Sequence, residues 1–68
     1  MKYIDAGKCV RKAQNLSGVC NTELASKVGT SPQQVIRFRN QKNMKVHTMQ
    51  EICDALNTSI EDFITFGY

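Results

Sequence analysis

The sequence predicts an all-α domain made of short helices and short connections. Two local signals favour this fold class: apolar residues recur at three- and four-residue spacing, and helix start and stop residues separate those stretches. The chain has 68 residues, of which 41% are hydrophobic. That length suits one domain with one core, so we expect a single domain over residues 1–68.

The first two helices are predicted from an apolar face and the glycine that ends each of them. Helix one runs through about Gln14 and stops at Gly18, and the residues on its face are Ile4, Gly7, Val10 and Ala13. Helix two ends at Gly29, and its stripe is Leu24, Ala25 and Val28.

Three further helices are predicted from capping signals. Ser31, Pro32 and Gln34 form a capping box with proline at the first helical position, which starts helix three. Thr48 with Glu51 predicts the start of helix four, whose apolar face is Met49, Ile52, Cys53 and Leu56. Ser59 with Asp62 predicts helix five, which carries Ile60, Phe63 and Ile64. Residues 65–68 fit either a frayed end or a short strand.

Helix three has two chemically different sides. At 100° per residue, Val35 and Phe38 lie together, whereas the opposite side carries Gln33, Arg37 and Asn40. A short turn around Gly29 would let helices two and three cross with the apolar side between them, as in a helix-turn-helix. Glutamine can pair bidentately with adenine and arginine with guanine, so the polar side suits the DNA major groove, although such residues are also common on solvated helices.

Charge is segregated along the chain in a way that favours a polyanionic partner. The net charge is +3, but residues 24–50 contain no acid, and their bases are Lys27, Arg37, Arg39, Lys42 and Lys45. Residues 51–68 contain four acids and no base. The basic block surrounds helix three, which points to nucleic acid without distinguishing it from other polyanions.

The residues also resemble a known family. The segments AGKCVRKA, TELASKVGTS and ALNTSIEDF are similar to the Cro/cI-type (XRE) helix-turn-helix family of phage repressors and bacterial regulators, over roughly residues 6–64. The resemblance implies a compact five-helix, lambda-repressor-like all-α domain that binds a near-palindromic operator in double-stranded DNA as a homodimer, with no cofactor.

The resemblance also implies roles for individual residues. Those expected to face bases or adjacent phosphates are Ser31, Pro32, Gln33, Gln34 and Arg37, with Gln33 and Arg37 as the main base readers. Pro32 replaces a polar residue frequent in the family, so no specific contact is assigned to it. Ile36 lies on the outward side, where it either contacts a thymine methyl group or tucks against a neighbouring turn. The expected phosphate contacts are Asn21, Arg39, Asn40, Lys42 and Lys45.

Two departures from the family pattern lead to further expectations. The cap of helix two is Cys20, a poor acceptor, so Asn21 is expected to cap instead. An Arg of helix one and a Glu of helix three that pair in the family are here Gln14 and Arg39. Without that ion pair, Arg39 is expected to be released toward phosphate.

Metal and catalytic sites are not predicted. The three cysteines, Cys9, Cys20 and Cys53, lack the close spacing of structural zinc ligands and are interpreted as free thiols, with Cys9 and Cys53 in the core. His47 is the single histidine, and we expect it to be a solvated loop residue or a phosphate neighbour without a nearby carboxylate. No small-molecule ligand and no enzymatic activity are expected.

The apolar end of the chain allows two interpretations. Phe63, Ile64, Phe66 and Tyr68 either close the core against helix one or form a self-association patch, with Phe66 and Tyr68 at a dimer interface. No signal peptide or spanning segment is recognised, so a cytoplasmic protein is expected. The main hypothesis is a sequence-specific transcriptional regulator, and the alternative is an antitoxin- or antirepressor-like module that keeps the fold but binds a protein.

Overall fold

The computed structural model describes residues 4–67 and contains no strand within them. Its helices are α1 (Ala6–Ser17), α2 (Asn21–Val28), α3 (Pro32–Asn40), α4 (Val46–Ala55) and α5 (Ile60–Thr65). The all-α fold class is therefore confirmed. No helix in this part of the chain is both long enough and apolar enough to cross a bilayer.

Most predicted helix ends are confirmed. Gly18 and Gly29 end α1 and α2 with left-handed φ values of 69° and 83°. Ser31 and Ser59 cap α3 and α5, because each hydroxyl accepts the N–H three residues later at 3.2 Å. The reciprocal half of the α3 box, from the Gln34 side chain, is not formed. Helix α1 starts later than its pattern suggests, with Ile4 outside it and Asp5 accepting from the Lys8 N–H.

The predicted start of α4 at Thr48 is wrong. The helix begins at Val46, and Lys45, which has an extended backbone, is its N-cap without a side-chain bond. The Met49 N–H donates to the Lys45 carbonyl at 3.0 Å, so the first turn forms before Thr48 is reached. Thr48 and Glu51 therefore lie inside the helix, and Thr48 is not its N-cap.

One core connects all five helices. Its buried residues are Cys9, Val10, Ala13, Leu24, Ala25, Val35, Ile52, Cys53, Leu56 and Phe63. The expected burial of Cys9 and Cys53 as free thiols is confirmed, and Cys20 is exposed. Burial raises the pKa of the Cys53 thiol to about 11, with smaller contributions from Asp54 and Cys9.

The end of the described chain packs against α1. Phe63 is fully buried, and Phe66 is half-buried against the core. The Asp5 N–H donates to the Gly67 carbonyl at 3.3 Å, and Gly67 itself donates to Ile64 at 3.0 Å. Residues 65–67 thus form the end of a helix and a turn that close the core. Tyr68 lies outside the described residues.

Candidate nucleic-acid interface

Helix α3 is embedded along one side and open along the other. Val35 is fully buried, and Phe38 packs against the core, as the periodicity predicted. The exposed side chains are Gln33, Ile36, Arg37 and Asn40. A row of polar donors and acceptors therefore faces solvent from a helix that is anchored by its opposite side.

The connection between α2 and α3 has the geometry of a helix-turn-helix. Gly29 and Thr30 both donate backbone N–H groups to the Ala25 carbonyl, at 2.9 and 2.8 Å, and these two hydrogen bonds end α2. Ser31 then caps α3, and Pro32 occupies its first turn. The connection thus takes three residues, and Val28 of α2 packs against the same core as Val35 of α3.

The amino end of α1 supports the carboxyl end of α3. Gly7 donates its N–H to the Gln41 carbonyl at 2.7 Å, and Ala6 donates to Lys42 at 3.1 Å. The Arg11 guanidinium donates to the Arg39 carbonyl from the same side. Unpaired N–H groups at the start of α1 therefore meet carbonyls at and just beyond the end of α3, which pairs polar groups that each helix by itself leaves unpaired.

This support between α1 and α3 was missed by the reasoning from sequence. The available signal was Gly7, since glycine within a helical face is costly unless something comes close to it. A Cβ atom at Gly7 would overlap the Arg39 and Gln41 carbonyl oxygens. Only glycine therefore lets α1 come this close to the end of α3.

The expectations for Asn21 and Arg39 at the junction of α1, α2 and α3 are corrected. Asn21 does not cap α2: Cys20 is the N-cap, without a side-chain bond, and Asn21 is the first helical residue. The Asn21 Oδ1 accepts from Gln14 Nε2 at 3.0 Å and from Arg39 Nη1 at 2.8 Å. Arg39 is therefore held rather than released, because Asn21 supplies the acceptor that the missing ion pair would have supplied.

The predicted base-contacting residues lie around the exposed side of α3. Ser31 is exposed and Gln34 half-buried, beside the exposed Gln33 and Arg37. The Ser31 oxygen already accepts the Gln34 N–H, so its hydroxyl proton remains for a ligand. Ile36 is 48% exposed, so about half of its surface is open to solvent.

The predicted phosphate-contacting residues fall into two groups. Asn40, Lys42 and Lys45 are exposed at and beyond the end of α3. Asn21 lies at the start of α2 and Arg39 near the end of α3, both half-buried and bonded to each other. One group is therefore open to solvent, whereas the other is held at the junction of the helices.

His47 differs from its expectation in two respects. It lies in the first turn of α4, not in a loop, and its Nε2 lies 2.6 Å from Glu51 Oε1 one turn later. The expected solvent exposure is confirmed, since 84% of the His47 side chain is accessible. An exposed pair of this kind adds little to stability. Among residues 4–67, no three His, Cys, Asp or Glu side chains are grouped so that they could hold a metal ion.

Comparison with known proteins identifies the domain family. A family model described as a Cro/C1-type HTH DNA-binding domain matches residues 15–67. Comparisons with curated proteins and with solved structures gave no significant match. The matched segment includes α2, the turn and the whole of α3.

Proposed function

Because the chain belongs to the Cro/C1-type helix-turn-helix DNA-binding family, we propose that it is a sequence-specific transcriptional regulator that inserts α3 into the major groove of double-stranded DNA. One observation carries this proposal: α3 is anchored by Val35 while its Gln33 and Arg37 side chains face solvent. Anchoring fixes the direction of the polar side chains before DNA arrives, which reduces the entropy lost on binding.

Sequence selectivity is assigned to the exposed face of α3. Gln33 and Arg37 carry the donors and acceptors that pair bidentately with adenine and guanine edges. Ser31 and Gln34 stand at the start of the same helix, where they reach bases or the adjacent backbone. Ile36 presents a half-exposed apolar surface on the same helix, which suits a thymine methyl group.

Affinity is assigned to the cations and amides that flank this face. Asn40, Lys42 and Lys45 are exposed at the end of α3 and in the segment that leads into α4. Each lysine that neutralises a phosphate releases condensed counterions, so binding weakens as salt is raised. These contacts orient the domain on the duplex but read no sequence.

We further propose that the protein is a Cro-like phage or prophage repressor that occupies a near-palindromic operator as a cytoplasmic homodimer. Two copies related by a two-fold axis would place their α3 helices about 34 Å apart, one turn of DNA. Phe66 and Tyr68 are the proposed interface residues. Phe66 is half-buried against its own core, so only its exposed part is available to a second copy. No enzymatic activity and no cofactor are proposed.

Selection of bound duplexes from a random pool tests this function. The expected result is an enriched motif with two-fold symmetry and half-sites one helical turn apart, because each copy would read one half-site. Affinity for the enriched duplex should fall steeply as salt is raised. Salt-independent binding, or no binding at low salt, would instead favour the protein-binding alternative.

A further inference from the structure

We propose that Asn21 is a positioning residue for DNA binding: it holds the Arg39 side chain at the junction of α1, α2 and α3, where the guanidinium charge is presented to a phosphate. The inference rests on the proposed function and deepens it. It assigns to Asn21 an action through Arg39, not a contact of its own with DNA.

The Asn21 side chain is oriented from the protein interior. Its Oδ1 accepts from Gln14 Nε2 at 3.0 Å, and the same nitrogen of Gln14 also donates to the Val19 carbonyl at 3.2 Å. Gln14 is only 5% exposed, so it forms a fixed support. Because one side of Asn21 is held in this way, its oxygen has a defined position for a second donor.

Arg39 is that second donor, and it is fixed at both ends. Its Nη1 donates to Asn21 Oδ1 at 2.8 Å, while its backbone carbonyl accepts from the Arg11 guanidinium. A long arginine side chain ordinarily loses much rotamer freedom when it meets a ligand. Here that freedom is already reduced in the free protein, so less is lost when a phosphate binds.

The positive charge of Arg39 is not neutralised at this junction. Within residues 4–67, no carboxylate lies within 4 Å of its guanidinium, and the acceptor that holds it is a neutral amide. Arg11 adds a second cation to the same region, at the Arg39 backbone carbonyl. An acidic acceptor in place of Asn21 would hold Arg39 equally well but would cancel its charge, so the amide preserves both position and attraction for phosphate.

The place of this charge indicates backbone contact rather than base reading. The Arg39 side chain reaches the first residue of α2, away from the α3 side that carries Gln33 and Arg37. Arg39 is half-buried, so part of the residue remains accessible to solvent. Bonded to Asn21 through Nη1, Arg39 keeps further N–H donors for a phosphate oxygen.

A double-mutant cycle on DNA binding tests the proposal. Affinity for the selected duplex is measured as a function of salt for Asn21→Ala, Arg39→Met and the double variant, with Asn15→Ala, an exposed asparagine of α1, as the matched control. Arg39→Met should make the slope of log K against log salt shallower by about 0.9, one phosphate contact. Asn21→Ala should weaken the wild-type protein but add nothing to Arg39→Met, because it acts through that residue.

If the double variant loses as much affinity as the two single variants together, the proposal is overturned, since Asn21 would then contact DNA by itself. It is also overturned if Asn21→Ala changes the thermal stability of the protein but not its affinity for DNA. If Asn21→Ala fails to fold, Asn21→Asp provides the test: its carboxylate keeps both hydrogen bonds but neutralises Arg39, so the fold should persist while the slope becomes shallower by about 0.9. A wild-type slope for Asn21→Asp would overturn the proposal. Failure of the wild-type protein to bind any duplex is a different outcome, which refutes the proposed function itself.

Discussion

Gly7 and Gln41 join the start of α1 to the end of α3 through a backbone hydrogen bond of 2.7 Å. The residue at position 7 has no side chain, and the two carbonyl oxygens of Arg39 and Gln41 occupy the space that a Cβ would need. The direction of the proposed DNA-reading helix is thus set by α1 as well as by the turn after α2.

Gly7→Ala is therefore expected to destabilise the protein. Alanine favours a helix over glycine by up to about 1 kcal/mol, but here its methyl group meets backbone atoms that cannot rotate away. We expect a net loss of about 1 to 3 kcal/mol in the free energy of unfolding, measured with urea. The exposed α1 residue Lys12 provides the control, since Lys12→Ala should change stability by less than about 0.5 kcal/mol. Equal stability of the two variants would contradict the close approach.

Cys20→Ser is expected to stabilise the protein. Cys20 has the extended backbone of an N-cap but gives α2 no side-chain hydrogen bond, and Glu23 stands three residues later. A serine hydroxyl can accept the Glu23 N–H and complete a capping box, which is worth about 0.5 to 1 kcal/mol. The melting temperature should rise for Cys20→Ser and not for Cys20→Ala. A rise of equal size in both would show that removal of the thiol, not capping, is responsible.

Alkaline pH is expected to destabilise the protein partly through Cys53. Burial raises the pKa of this thiol from 9.0 to about 11, so the folded state keeps a proton that the unfolded state loses. The corresponding stability is fully present below pH 9 and is lost as the pH rises toward 11. Urea denaturation at pH 7, 9 and 10.5 should therefore show a steeper loss for the wild-type protein than for Cys53→Ala, with a difference of about 1 to 2 kcal/mol. Parallel losses would mean that Cys53 ionises equally in both states.

Arg37→Ala and Lys42→Ala should weaken DNA binding in different ways. Arg37 stands on the exposed side of α3 and is expected to read a base, so its loss should cost about 1 to 3 kcal/mol concentrated at one base pair. Lys42 follows α3 and is expected to contact phosphate, so its loss should weaken all sequences alike and make the salt slope shallower by about 0.9. Affinities for single-base variants of the selected duplex measure both effects. Uniform weakening by Arg37→Ala would place that residue on the backbone instead.

Several features of the site were predictable because the forces that create them act within a few residues. Three of these features depend on neighbours within one or two helical turns. They are the cap at Ser31, the left-handed helix ends at Gly18 and Gly29, and the division of α3 into a buried Val35 side and an exposed Gln33 side. The acid-free block around α3 likewise needs no tertiary information, since it is a property of the order of residues.

Local signals failed at two places in the chain. Thr48 and Glu51 have the spacing of a capping box, yet α4 already begins at Val46. Asn21 has the chemistry of a cap, yet its oxygen is used by Gln14 and Arg39. In both cases the residue type allowed two roles, and the position of the chain around it selected one.

By itself, therefore, the sequence determined the helical class, the position of the turn and which side of α3 is exposed to solvent. The spacing of hydrophobic residues and the capping of helix ends are local properties of the chain. Only the tertiary structure decided what orients that helix and what holds Arg39. The bonds responsible join residues 18 and 28 positions apart, Asn21 with Arg39 and Arg11 with Arg39. Contacts over such separations depend on how whole helices pack, which no periodicity in the chain records.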